Sequence, residues 1–244
     1  MEIVRSKLFS RFPEVLFGMS TALDENSSGT FSMNLSYHVG DDPGNVQSNR
    51  DRFFSSLGIE ERHIAFTQQK HTNTVVFVST PGVFPVSDGL VSSQKSLYLA
   101  VSAADCIPVM MYDPVSKTVA GVHAGWRGTN AGIVHAAVDI MTQKCAALPS
   151  DIRVFIGPSA GKCCYEVRED VALLFPEECR EPYRDGKYLL DVKQANVLQL
   201  IKSGLRKENI EVHPDCTIHN PAYHSFRRDG SKSGRMFAVI GLLP

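Results

Sequence analysis

The sequence predicts an α+β fold, and three observations carry the prediction. Two short apolar runs, 97–101 and 107–112, flank a polar Asp105-Cys106 and have the length of buried strands. The stretch after Gly128 repeats its apolar residues at helical spacing. Strand-like and helix-like segments follow one another without the strict alternation of a parallel doubly wound sheet.

In chain order, 23–30 (LDENSSGT) reads as a loop and 41–44 (DDPG) as a turn. Segments 64–67 and 75–78 read as strands on either side of Gln69-Lys70-His71. Runs as short as 97–101 and 107–112 predict strands bracketing a functional kink, and Pro108, which has no N–H for a ladder, places an irregular point there. Segment 118–122 is a further strand. The helix after it has Thr129 or Asn130 as N-cap and Ile133, Ala137, Ile140 and Met141 as its apolar face. Segment 152–156 is a strand ended by Gly157-Pro158, and 166–175 a short helix. Asp191 caps a helix whose Leu198, Ile201 and Leu205 line one side. Segments 210–213 and 236–242 are late strands, with a loop at 225–234 between them.

With 244 residues, 43% hydrophobic and 21% charged, the chain has ample material for a core, in one large domain or two lobes. A formal net charge of −1 argues against a nucleic-acid partner. The short basic run Phe226-Arg227-Arg228 could hold one phosphate or carboxylate, or be a solvated turn. Charges interrupt every apolar stretch near the N-terminus and no window suits a membrane helix, so the expected location is cytoplasmic. Cys106, Cys145, Cys163, Cys164, Cys179 and Cys216 are irregularly spaced and form no CxxC pair. Neither a disulfide framework nor a zinc ribbon is expected.

Three islands place reactive residues in apolar or glycine-rich surroundings: Gln69-Lys70-His71, Asp105-Cys106 and His123-Ala-Gly-Trp-Arg127. Strand ends can bring such side chains to one cleft. Imidazole nitrogen and thiolate sulfur suit zinc, and a catalytic zinc keeps a fourth position open. The alternative is a buried apolar Cys106 with the histidines on separate surfaces. Trp126 and Arg127 could stack on a flat base and grip an anion, or serve core packing and an ion pair.

Other readings use the same residues. Copper held by two histidines and Cys106, with Met110 or Met111 nearby, would imitate a blue-copper set, although no His-x-His pair supplies a trinuclear cluster. Cys106 and His123, aided by Asp105 or Asn130, could act without metal as a cysteine hydrolase. A structural zinc could take Cys163 or Cys164 as its fourth ligand. His63, His135, His213, His219 and His224 are assigned no role.

The segments QKHTNTV (69–75), SDGLVS (87–92), LAVSAADCIPVMMYDP (99–114), GVHAGWRGT (121–129), IGPSAGKCCYEV (156–167) and SFRRDGSKSGR (225–235) closely resemble the YfiH-like family. That family is also labelled laccase-domain, polyphenol-oxidase or purine nucleoside phosphorylase. Weaker matches occur at 17–21, 33–42 and 49–50, so the resemblance covers nearly the whole chain. Ser159 departs from the cysteine many relatives carry there.

The resemblance implies a layered α/β/β/α-type sandwich in one domain, 1–244, with a distant likeness to deamidating cysteine-hydrolase toxins. It implies His71, Cys106 and His123 as zinc ligands, with copper the lesser alternative. Implied activities are phosphorolysis of adenosine, inosine, guanosine and methylthioadenosine, and hydrolytic deamination of adenosine. Some relatives are credited with editing peptidoglycan precursors, which would fit the metal-free hydrolase. Asp105 is then a candidate proton shuttle, or orients a ligand from behind. Arg50, Arg127 and Arg228 are candidates for phosphate, with Asn34 and His38 as neutral donors and Trp126 against the base. The expected partners are purine nucleosides and phosphate, with no nucleic acid and no membrane, in a monomer or a homodimer.

Overall fold

A computed structural model describes residues 1–23 and 31–244. Most of the expected 23–30 loop thus lies outside the described residues. Strands and helices are numbered in chain order. One six-stranded sheet runs β1 (Ile3–Val4), β2 (Val15–Ser20), β15 (Met236–Leu242), β7 (Tyr98–Ala103), β3 (Ile64–Thr67), β5 (Gly82–Phe84). A second runs β14 (Ile210–Val212), β10 (Arg153–Ile156), β8 (Ile107–Asp113), β9 (Thr118–Ala124), β6 (Gly89–Ser92), β4 (Val75–Phe77). A small third sheet joins β11 (Glu166–Arg168), β13 (Lys187–Leu190) and β12 (Arg180–Pro182).

Alternation along the strands sorts the core into layers. Leu99 and Val101 of β7 meet Met110 and Tyr112 of β8 between the two large sheets. Tyr98 and Ala100 point the other way, onto Phe53 and Phe54 of α1 (Pro43–Ser56). Val109 and Met111 of β8 face Ile133, Ala137 and Met141 of α3 (Ile133–Cys145), and the same cluster takes in Ala195 and Leu200 of α5 (Val192–Lys202). The order is helix, sheet, sheet, helices, as the α/β/β/α expectation has it. Burial on both faces is why β7 and β8 read as continuous apolar runs.

Several local expectations need correction. DDPG opens α1 instead of making a free turn: Asp42 accepts from the N–H groups of Gly44 (2.8 Å) and Asn45 (3.2 Å), and Pro43 sits where no N–H is needed. Pro108 lies inside β8, opposite His123, and the break falls one turn earlier. Thr129 and Asn130 do not cap α3. They close a short helix, α2 (Trp126–Asn130), and α3 starts after Gly132 at φ 78°. Segment 166–175 divides into β11 and α4 (Glu169–Ala172). Segment 225–234 contains α6 (Phe226–Asp229). Asp191 does cap α5, accepting from Gln194 N at 2.9 Å. Its buried face, however, includes Val192, Ala195, Asn196 and Leu200, while Ile201 is exposed and Leu205 lies beyond the helix.

Candidate functional site

The hairpin β8–β9 builds the centre of the site. Its register pairs Ile107 with Ala124, so Cys106 and Gly125 leave the sheet side by side. Asp105 reaches this corner in a left-handed conformation, φ 85°. His123 is the last but one residue of β9 and is buried, while His71 arrives from the β3–β4 connection at φ 59° and is exposed. Cys106 Sγ stands 3.8 Å from His71 Nε2, and the His71 and His123 rings cross at 82° with centroids 4.9 Å apart.

Asp88 organises this corner from beneath. Its buried carboxylate accepts from the backbone N–H groups of Lys70 (3.0 Å), His71 (2.9 Å) and Thr72 (2.8 Å), and from the Thr72 hydroxyl (2.8 Å). His123 Nδ1 donates to the same oxygen, Oδ1, that accepts from His71 N, at 2.9 Å. Burial works to raise the Asp88 pKa, but these hydrogen bonds outweigh it and hold the carboxyl far below its ordinary range. Gln69 fixes the start of the same turn, accepting from Ser102 N (2.7 Å) and donating to Ser102 O (2.9 Å) at the end of β7.

The ligand atoms of His71, Cys106 and His123 all lie within 4.8 Å of one another. Bonds of about 2.0–2.3 Å to a tetrahedral zinc place ligand atoms roughly 3.5 Å apart, so the set fits such an ion after closure by about an ångström. Gly125 leaves the necessary space: a Cβ there would come 3.0 Å from Cys106 Sγ and 3.0 Å from His71 Cδ2. Burial opposes ionisation of Cys106, but the two imidazoles outweigh it and hold the thiol below its ordinary pKa. Cys106 and Asp88 in turn raise His123 against the cost of its burial. The arrangement favours a thiolate, the form that binds metal.

A small recess, about 40 Å³, opens beside the sulfur, with Asp105, Trp126, Ala160, Tyr165 and Val192 among its walls. Burial, with the charges of Cys106 and Asp105, pushes Tyr165 up to about 12, so its hydroxyl stays a donor at neutral pH. The exposed Arg127 guanidinium lies 4.4 Å over the Trp126 ring, and Trp126 itself packs on the α3 cluster, so it is both wall and core. Arg227 covers Tyr165 at 4.9 Å. Arg235 lies close enough to feel the charges of Cys106 and Asp105.

The other sequence candidates are placed as follows. Asp105 has both oxygens engaged, one by Thr217 Oγ1 and one by Arg227 N, each at 2.6 Å. Arg228 donates to the carbonyls of Thr217 and Tyr223, each at 2.8 Å, and pairs with Asp229. Arg50 donates to Leu35 O (2.8 Å), pairs with Glu61 and lies over Tyr37, Phe66 and Phe237. Asn34 is buried and accepts from Arg235 N at 2.9 Å, so it braces the Arg235 segment. His38 is exposed in the loop before α1, and Asn130 is exposed at the end of α2. Met110 and Met111 are buried in opposite apolar layers of β8, which accounts for both without a metal. Cys163 and Cys164 gather with Cys216 and His219 and supply no fourth ligand to the His71 cluster. Asp88, Tyr165 and Arg235 lie in quoted motifs without being site candidates, and Arg227 was named only within the basic run Phe226-Arg227-Arg228. The one available signal was an aspartate set among small residues directly before an all-buried strand.

Fold and site together define a layered α+β protein with a candidate His-Cys-His metal centre at the mouth of a recess. Residues 17–243 match the family described as multi-copper polyphenol oxidoreductase laccase, and the chain belongs to that family. Purine nucleoside phosphorylase YlmD of Geobacillus stearothermophilus is 35% identical, over 94% of this chain and 91% of its own. The crystal structure of YlmD from that organism superposes with a TM-score of 0.93 at 33% identity, covering 100% of this chain and 97% of the other. The hypothetical protein YfiH of Bacillus licheniformis gives a TM-score of 0.91 at 31% identity, covering 98% and 96%. The YfiH likeness read from the motifs therefore holds for family and fold. Among the described residues no helix is long and apolar enough to cross a membrane.

Proposed function

We propose that this chain is a zinc-dependent purine nucleoside enzyme. It would phosphorolyse adenosine, inosine, guanosine and methylthioadenosine and hydrolytically deaminate adenosine. The convergence of His71, Cys106 and His123 on one point beside the recess carries the reading. The relatives named purine nucleoside phosphorylase support the substrate class. One domain, 1–244, houses the site, a view supported by β15 pairing with β2 and β7 in the same sheet. A cytoplasmic setting fits six free thiols.

Zinc bound there would supply a Lewis acid at neutral pH. The chain's own residues do the rest. Asp88 holds His123 in the tautomer that leaves Nε2 free to ligate. Trp126 and Tyr165 wall the base and ribose, with the Tyr165 hydroxyl as donor. Arg127, exposed over Trp126, supplies positive charge for phosphate, while Arg227 and Arg235, which bond the carbonyls of Glu166, Ser233 and Gly234, add positive charge near the recess as positioning residues. Arg50 and Arg228, spent on carbonyls and carboxylates, act as positioning residues, as does Asp105.

The test is zinc analysis of purified protein paired with base release from inosine in the presence of phosphate, on wild type and Cys106→Ala. The zinc held by His71, Cys106 and His123 should be lost together with turnover in the variant. Undiminished turnover by Cys106→Ala lacking that zinc would overturn the assignment. A second reading has one observation in its favour, the depressed Cys106 thiol beside His123: a metal-free cysteine hydrolase. It predicts amide cleavage that persists after exhaustive chelation. Copper, which such a donor set also accepts, is distinguished by the same elemental analysis.

A further inference from the structure

A second group of soft donors converges on a different corner of the molecule. Cys163 and Cys164 lie between β10 and β11, and Cys216 and His219 lie in the connection after β14. Their ligand atoms are all within 4.8 Å of one another. His219 Nδ1 stands 3.4 Å from Cys164 Sγ and 3.6 Å from Cys163 Sγ, about the spacing of ligands on a tetrahedral zinc.

Two further features suit metal-bound sulfur. Gly161 N donates to Cys216 Sγ at 3.2 Å, a bond that favours a thiolate. Gly161 also keeps the centre compact, since a Cβ there would come 3.0 Å from Cys216 Cβ and 3.3 Å from Cys163 Sγ. Lys193 is buried alongside, donating to His213 O (2.8 Å) and Asp215 O (2.7 Å), and its charge acts on Cys216 and Cys163. Three thiolates around a divalent ion leave one net negative charge, which that ammonium offsets.

We propose that Cys163, Cys164, Cys216 and His219 form a structural zinc site of the Cys3His class. On binding, each thiol gives its proton to solvent as a zinc–sulfur bond forms, His219 ligates as neutral imidazole, and no electron is transferred. The ion ties the segment carrying Ala160 and Tyr165 to the segment carrying Thr217, the partner of Asp105. It thus braces the recess without entering it. The proposal is independent of what the His71 centre does.

Zinc content measured on intact protein separates the two centres. The variant His71→Ala, which disables only the first, should retain zinc. Adding His219→Ala or Cys163→Ser, both exposed positions, should remove what remains while the circular dichroism spectrum stays unchanged. Cobalt-loaded His71→Ala should show an intense thiolate-to-metal absorption that the added substitutions weaken. The site is refuted if His71→Ala is zinc-free. It is equally refuted if His219→Ala leaves zinc content and cobalt spectrum unaltered, or if intact mass shows these cysteines joined in a disulfide.

Discussion

Asp88 and His123 meet twice: the Asp88 carboxylate accepts from His123 Nδ1 at 2.9 Å, and the Asp88 carbonyl accepts from His123 N at 2.7 Å. One residue therefore sets both the position of the β9 end and the orientation of its imidazole. The same carboxylate clamps the turn that delivers His71, so two candidate ligands share one anchor.

Asp88→Asn should weaken metal binding by about 10–100-fold, the usual effect of losing a partner behind a ligating histidine. An amide offers one acceptor oxygen where five donors now converge. Competition against a chromophoric chelator measures the loss, and unchanged affinity would remove Asp88 from this role.

Gly125→Ala should cost the centre its metal while sparing the fold. The added methyl group crowds Cys106 Sγ and His71 Cδ2 at 3.0 Å each. A fall in affinity on the order of tenfold or more is expected, with thermal unfolding little shifted. A variant that bound zinc normally would show that the two ligands have room to spare.

Glu14 gives a pH signature away from the site. Hydrogen bonds from Lys117 Nζ and Tyr112 OH, each 2.6 Å, lower its pKa from 4.5 to about 2. Because the folded value is the lower one, its stabilisation is fully present above 4.5 and disappears as pH falls to about 2. Urea titrations should find wild type more stable than Glu14→Gln at neutral pH, with the two converging in acid. A gap that stayed constant down to that acid limit would contradict the ion-pair account.

Phe53→Ala should destabilise the protein by about 3–5 kcal/mol, the range for emptying a large buried aromatic position. Phe53 is fully buried and its ring lies 5.5 Å from Phe54 in the layer under α1. The urea midpoint should drop at constant slope.

The central strands were legible because β7 and β8 are buried on both faces and so carry uninterrupted apolar runs. Helix α1 was not, because its buried Val46, Phe53 and Phe54 are diluted by polar residues that face water or, like Asn49, are buried in hydrogen bonds. Its start was misread for a related reason: Asp-Pro-Gly serves turns and helix N-termini alike. Spacing left the joining of His71, Cys106 and His123 open, since 35 residues separate the first two and only the paired sheets unite them. The family likeness supplied that link. The roles of Arg50 and Arg228 were hidden because an arginine that grips backbone carbonyls looks, in sequence, like one awaiting an anion. His219 was passed over because only Cys216 lies near it in sequence, while Cys164, and Cys163 beside it, come from a segment 55 residues away.

The place of β15 bears on how the molecule is made. It fills the gap between β2 and β7, two strands far earlier in the chain, and among the described residues no other segment bonds both of them. Until β15 is in place, β2 and β7 each present an open edge able to capture a stray strand. Closure waits for β15, so chains in which it has yet to form should depend most on chaperones.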